Sequence, residues 1–376
     1  MNDIDVTVIM PSLNVCQYIE ECLDSVIHQT MKNIEIICVD AGSTDGTIEL
    51  IKNYAEKDNR IRIINSIKKS YGFQVNEGIR NARGKYIGIV ETDDFVDPNM
   101  YEKLYECALK NDADMVKADF NKFVSDDNSN YIYDSFKICS DNAYYNRVVF
   151  DESLFLLRKT KNYIWSGIYK RDFLLDNKLF LNETPGASYQ DNGFWFLTTV
   201  MAKTVYFLSE VFYHLRRDNP NSSFFSKAKE FCMCDEYRYI RNYLEAHSLF
   251  STYSALYWRA LFYNYMFTLN RVSFDRKKGF LEKFSEDLKD GYEKKQIDFS
   301  MFSFREKHDI INIVNHPDQY YIHSVVNTSK KEDGFINRFI QYAKDYGYFQ
   351  AFLYIADYIK YKINNLINKN RKKKIV

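Results

Sequence analysis

The sequence is poor in the residues that break or staple a chain. Its 376 residues include 5 prolines and 13 glycines, too few for a linker-rich or fibrous polymer, and the 17% aromatic content belongs to an ordered globular chain. The 7 cysteines are an odd number without C-x-x-C spacing, which leaves no zinc or dithiol motif and points to reduced, buried thiols. Neither sign of charge is in excess, 51 Lys and Arg against 51 Asp and Glu, so nothing in the total charge suggests a nucleic-acid partner or an acidic tail. No apolar run reaches the roughly 18 residues of a spanning helix; FQAFLYIADYI at 349–359 is short and carries Asp357. The N-terminus is acidic and passes at once into a strand pattern, unlike a signal peptide or a leading anchor, so the cytoplasm is the expected compartment.

What the sequence has is alternation. VTVIMPS (6–12) is a buried strand, and YIEECLDSVIHQ (18–29) places Ile19, Cys22, Leu23, Val26 and Ile27 at helical spacing. IEIICVD, GTIELIKNYAEK, IRIINS, VNEGIRNA and KYIGIVE continue strand, helix, strand, helix, strand. This predicts an α/β fold with a mostly parallel sheet sandwiched by helices. Ligands of such sheets bind beyond the carboxyl ends of the strands, where Ser12, Asp40 and the ETDD of 91–94 fall. Residues 1–115 read as the half that carries the strand-exit site, 116–226 as a second half that completes it, and 227–376 as a helical extension with a basic tail.

The turn VDAGSTDGT (39–47) holds two acids and two glycines. Gly42 and Gly46 suit a tight turn, and Asp45 suits a helix N-terminus. Asp40, at a strand exit, can cap the turn or accept a hydrogen bond from a base N–H. Glu91, Asp93 and Asp94 gather more negative charge than a loop tolerates without a cation, and oxygen ligands suit Mg²⁺ or Mn²⁺, which use one or two carboxylates and substrate phosphates. Alternatively the same stretch starts the helix of DPNMYEKLYECALK, with Asp97 as its cap and Pro98 in its first turn. Asp191, in YQDNGFWF, is a second candidate cap or a base.

VIMPSLN, EIICVDAGSTDGT, NEGIRNARGKYIGIVETDD and SYQDNGFWF, in this order, resemble the family 2 glycosyltransferases with the GT-A fold, over about residues 5–225. The resemblance implies inverting transfer from a nucleotide-sugar donor, expected to be a UDP-sugar, to a glycan or lipid-linked glycan acceptor of a surface polysaccharide, assisted by a divalent cation. Carried over residue by residue, Pro11 and Ser12 line the donor site, Asp40 meets the base, Glu91 and Thr92 the ribose side, Asp93 the metal, and Asp191 is the catalytic base. FYHLRRDNPNSS (212–223) supplies His214, Arg216 and Arg217 to the diphosphate, a fork geometry that suits phosphate; a solvated basic turn is the plainer alternative. Trp165, in WSGIYKRDFL, and Gln190 border the acceptor, or Trp165 packs in the core. The chain departs from the family at Leu13, where an aromatic residue is usual, at Ala41, where a second acid is frequent, and at Glu91, which replaces the usual first aspartate.

PSLNVCQ after the first strand lacks the glycine-rich basic loop of a sugar nucleotidyltransferase, and no G-x-G-x-x-G follows it. A non-catalytic binding module would need no base, and Asp93 and Asp191 occur together. Near the C-terminus, Phe335, Phe339, Phe352, Ile355, Ile359, Ile363 and Ile367 recur near helical spacing before NKNRKKK (368–374). A basic amphipathic helix of this kind lies on the cytoplasmic face of an inner membrane, packs on its own protein or forms a dimer.

Overall fold

The computed structural model describes residues 4–126, 130–221, 229 and 231–326. The first alternation forms as the periodicity predicts: β1 (Val6–Ser12), α1 (Ile19–Ile27), β2 (Ile34–Asp40), α2 (Thr47–Ala55), β3 (Ile61–Asn65), α3 (Tyr71–Asn81) and β4 (Tyr86–Ile89). β1 pairs in parallel with β2 and β4, and β2 with β3; the register sets Ser12 opposite Asp40 and Asp40 opposite Asn65. β1 and β2 are buried along their whole length, as strands covered on both faces must be. α3 begins earlier than its apolar pattern suggests, because the Ser70 hydroxyl accepts the Phe73 N–H at 3.2 Å and caps it. That early start adds Tyr71 and Gln74 to the helix.

The chain continues through β5 (Phe95–Val96), α4 (Met100–Asn111), β6 (Met115–Ser125), β7 (Tyr131–Phe136), β8 (Val148–Phe150), α5 (Ser153–Lys159), β9 (Gly167–Lys170), α6 (Arg171–Asp176), α7 (Gln190–Met201), β10 (Thr204–Arg216) and α8 (Cys232–Ala246). All ten strands share one sheet, whose main path is β3-β2-β1-β4-β9-β6-β10-β5. β9, from the WSGIYK segment, runs antiparallel to both β4 and β6 and joins the parallel first half to the second. A side chain at Gly167 would stand 2.0 Å from the Val116 carbonyl oxygen, so only glycine lets β9 enter.

The fold divides into two compact units, Met1–His247 and Ser248–Val376. The stretches 1–115 and 116–226 therefore contribute to one sheet, and α8 belongs with it rather than with the helices that follow. In the second unit α9 (Phe250–Arg271), α10 (Phe274–Glu293) and α11 (Phe304–Asn315) bury Trp258, Phe262, Tyr265, Phe280 and Phe284. All seven cysteines are free thiols. Among the described residues no helix is long and apolar enough to cross a membrane. The amphipathic segment 335–374 lies outside the described residues.

Candidate active site

The carboxyl ends of β1, β2 and β4 meet as the topology requires. Asp40 is buried, and one of its oxygens accepts the backbone N–H groups of Gly42 and Ser43 at 2.9 Å each. The other accepts the hydroxyls of Ser12 and Ser43. Asp40 thus holds the turn in shape. Gly42 and Gly46 have φ of +80° and +101°, the left-handed region that glycine enters without strain. Asp45 accepts from Thr47 N–H and hydroxyl and from Cys16 N–H, so it serves the start of α2 as expected, although Gly46 is the capping position. Gln74, which the sequence pattern did not single out, donates to the carbonyls of both Ser12 and Val39 and fastens the two strand exits.

The acidic turn is tied to the same place. The Thr92 hydroxyl donates to the Pro11 carbonyl at 2.8 Å, which gives both residues a scaffolding role. Asp94 is buried and accepts from the Tyr213 hydroxyl and the Arg216 backbone N–H, each at 2.7 Å. Burial and the charges of Asp93 and Glu91 push its carboxyl well above the usual range, against those two bonds. Glu91 accepts the Tyr71 hydroxyl at 2.7 Å. Burial and the neighbouring charge of Asp93 raise it to about 7, with a smaller contribution from Asp191. Glu91 keeps some solvent exposure while sitting deep in the protein mass, the condition of a group on the floor of a cleft. Asp93 is also half-buried, and one of its oxygens accepts the Asn219 amide at 2.8 Å.

Asp191 stands in the first turn of α7, two residues after Tyr189, whose φ of +65° is strained for a non-glycine residue. Its two oxygens accept the side-chain amides of Asn192 at 3.1 Å and Asn162 at 3.2 Å. Burial raises its carboxyl to about 6, partly offset by backbone and side-chain donors of Asn192. Like Glu91 it is partly exposed yet deeply set. The Tyr71 phenol feels the charges of both Glu91 and Asp191, which places it beside the two carboxylates.

Other expected site residues are turned elsewhere. Gln190 is buried, and its amide accepts Ser188 N–H and donates to Thr184 and Gly186, so it clamps its own loop instead of facing an acceptor. Trp165 is buried, stacked on Tyr213 at 4.0 Å and edge-on to Phe120 at 5.0 Å, which settles its alternatives in favour of packing. His214 stacks on Phe95 and bonds Asp97 at 3.0 Å; Asn99, not Asp97, holds the capping position of α4, and Asp97 meets the helix start only through its carbonyl, which accepts Met100 N–H at 3.1 Å. Arg216 is 7% exposed. Its guanidinium lies over Tyr18 and Phe123, pairs with Glu21, and donates from Nε to the Asp93 carbonyl at 2.9 Å. It therefore fixes the acidic turn and does not present a fork to a diphosphate. Arg217 is half-buried and its charge reaches Tyr163, which also feels Asp191, so of the two arginines it is the one on the side of the base.

Among the described residues no group of three or more His, Cys, Asp or Glu side chains could hold a metal ion by itself. The acidic turn offers less than that: both Asp94 oxygens accept hydrogen bonds, while Glu91 and Asp93 each have one oxygen engaged, by Tyr71 and by Asn219. A partly hydrated Mg²⁺ or Mn²⁺ completed by phosphate oxygens fits such a donor set, because those ions use one or two carboxylates in substrate-filled sites.

The family model described as Glycosyl transferase family 2 matches residues 7–183. The uncharacterized glycosyltransferase EpsJ of Bacillus subtilis (strain 168) is 34% identical over 219 residues, 58% of this chain and 62% of that protein. Glycosyltransferase GlyA of Streptococcus pneumoniae serotype 4 (strain ATCC BAA-334 / TIGR4) is 34% identical over 175 residues, 45% of this chain and 25% of its own length. The chain thus spans less than two thirds of either relative. In fold it is similar to the crystal structure of S. aureus TarS 1-349 in complex with UDP-GlcNAc, with a TM-score of 0.62 at 16% identity over 85% of this chain and 92% of that one.

Proposed function

We propose that this chain, whose residues 7–183 match the Glycosyl transferase family 2 model, moves a sugar from a nucleotide-sugar, with UDP as the nucleotide, to a hydroxyl of a surface-glycan acceptor with inversion. The observation that carries this reading is Asp191: a carboxylate oriented by two amides and raised to about 6, whose charge reaches Glu91 of the acidic turn. At neutral pH such a group is mostly ionised and more basic than an ordinary aspartate, the property a general base needs. The bound TarS donor, in a protein alike only in fold, supports UDP as the first nucleotide to test.

In the proposed step Asp191 takes the proton of the acceptor hydroxyl as its oxygen attacks the anomeric carbon. The bond to the diphosphate breaks on the opposite face, and the diphosphate leaves with the electron pair. Asp93 would hold the divalent cation, which neutralises charge developing on the diphosphate. Arg217 adds a cation on the base's side. The turn held by Asp40, Ser12 and Gln74 fronts the nucleoside, and Glu91, steadied by Tyr71, is placed for the ribose. The test is calorimetric binding of UDP, GDP, CDP and ADP with and without Mn²⁺, on the wild type and on Asp93→Ala. Metal-dependent UDP binding lost in the variant is the expected result; failure to bind any of the four would overturn the transferase reading and favour a non-catalytic module.

A further inference from the structure

One face of the sheet beside Asp191 carries a combination of groups that the proposed mechanism does not use. In the register of β6 with β7 and β10, Phe120 lies opposite Phe136 and Tyr213, while Lys122 lies opposite Asp134 and Leu215. These residues share a face, because side chains two apart in a strand point the same way. Phe120 stacks on Phe136 at 5.6 Å, and the loop of residues 161–165 covers them: Tyr163 meets Phe120 at 4.7 Å and Trp165 at 4.9 Å. The loop is pinned from below by the fully buried Lys117, whose ammonium donates to the carbonyls of Tyr163 and Ile164 and to the Tyr169 hydroxyl. Its other end is pinned by Asn162, whose amide bonds the base itself.

Cations rim this aromatic wall. Lys122 Nζ stands 4.0 Å from the Phe136 ring centroid and 5.7 Å from that of Tyr163. Besides burial, the nearby charges of Arg217 and Lys161 depress its ammonium, with Asp134 opposing. Lys122 thus has two positive neighbours, Arg217 and Lys161, against one carboxylate, Asp134, which lies opposite it on β7. A like-charge cluster costs stability in the empty protein, and an anion relieves that cost. Aromatic rings beside the cluster give the apolar face of a sugar ring a surface to pack on.

We propose that Tyr163, Phe136, Lys122 and Lys161 form an acceptor subsite for an anionic saccharide, a sugar bearing a carboxylate or a phosphate ester next to the hydroxyl that attacks. This rests on the transferase reading and adds the chemical class of the acceptor. The wall begins one residue from Asn162, so a sugar packed on Tyr163 has its hydroxyl near Asp191 while its anion faces the lysines. Lys117 and Asn162 are positioning residues for the loop.

Binding to the full chain is measured by saturation-transfer NMR titration with three probes: p-nitrophenyl β-glucoside, the corresponding β-glucuronide and the corresponding glucoside 6-phosphate. At low salt an anionic probe binds about tenfold more tightly than the neutral one, the worth of one charge-assisted hydrogen bond, and added salt reduces the difference. Preference for the glucuronide identifies a carboxylate acceptor; preference for the 6-phosphate identifies a phosphorylated one. The pair Lys122→Met with Lys161→Gln removes the preference while keeping the stem packed on Phe136. Equal binding of all three probes by the wild type, or a preference that survives in the double variant, overturns the proposal. Nucleotide binding in the same samples tests the transferase reading separately, because it does not involve this wall.

Discussion

Replacing Asp191 by asparagine tests the central residue without knowledge of either substrate. Burial raises this carboxyl to about 6, some two units above an ordinary aspartate, and each unit corresponds to about 1.36 kcal/mol between the two protonation states. A carboxyl raised on folding favours the fold when protonated. That contribution is fully present below about pH 4 and is lost as pH rises through about 6. At pH 7 the ionised Asp191 therefore costs the fold up to about 3 kcal/mol, somewhat less because the group keeps partial solvent access. Asparagine does not titrate, but its NH₂ faces the amide donor of Asn162 or Asn192, a loss of about 1 kcal/mol.

The expected outcome is a difference that changes sign. Near pH 4 Asp191→Asn is the less stable protein, and from pH 6 upward it is more stable by about 1–2 kcal/mol. For a unit of this size each kcal/mol moves the melting temperature by about 2–4 °C. Paired thermal melts at pH 4, 5, 6, 7 and 8 read this; Glu91, raised to about 7 in part by the Asp191 charge, is relieved in the variant and adds to the difference in the same direction at neutral pH. Transfer or donor hydrolysis at pH 7 falls by about 10²–10⁴ in the same variant, and in the wild type kcat/KM rises with pH through about 6. A melting difference that does not vary with pH, or one with its midpoint near 4, would refute the argument that burial shapes this carboxyl.

Gln74→Leu removes the amide that holds the Ser12 and Val39 carbonyls; a stability loss of about 1–3 kcal/mol, seen by urea unfolding, and weaker nucleotide binding by calorimetry are expected. Arg216→Met keeps the stem against Phe123 and removes the donor to the Asp93 carbonyl and the partner of Glu21. Because Glu21 is partly exposed, losing the pair and the donor costs about 1–2 kcal/mol, and metal-dependent nucleotide affinity falls; Arg216→Lys does not restore it, because one ammonium cannot reach both partners.

How much of this was legible in the sequence depends on distance along the chain. The alternation of 6–91 is written in local periodicity, and so is the turn of 39–47, where Gly42 and Gly46 supply the left-handed backbone and Asp40 and Asp45 each accept from residues two or three positions on, besides their distant partners Ser12 and Cys16. The charge of Asp191 reaches Glu91 of the acidic turn, although nothing local in YQDNGFWF says so. Legibility ends where side-chain direction depends on strand register. β10 is shifted against β6 between Leu208 and Val211 and again between Val211 and Tyr213, and each irregularity breaks the count of two that would say which face His214 and Arg216 occupy. A sequence reader sees a basic HLRR run; the sheet places His214 and Arg216 with Phe95, Tyr18 and Glu21, and Arg217 toward Tyr163. Tyr71, Gln74 and Asn162 carry no motif, because their partners Glu91, Val39 and Asp191 lie at least twenty residues away, and Lys122 meets Asp134 and Phe136 only across a strand pair.

The arrangement also explains why so many groups at this site sit away from their ordinary ionisation. Glu91, Asp94 and Asp191 are all raised and Lys122 is lowered, each with burial as the largest cause. A fold selected only for stability would replace these groups with apolar ones, since buried charge that lacks a partner costs more than packing returns. The acids cluster at the strand exits, where a divalent cation would offset them and the charge of a diphosphate together, and the bases cluster across Tyr163, where an anion would. Each cluster is costly alone and complementary to a different charge on a substrate. The empty protein therefore stores the cost of both, and binding of donor with cation, and separately of an anionic acceptor, should each stabilise the sheet unit through the groups that repel one another without them.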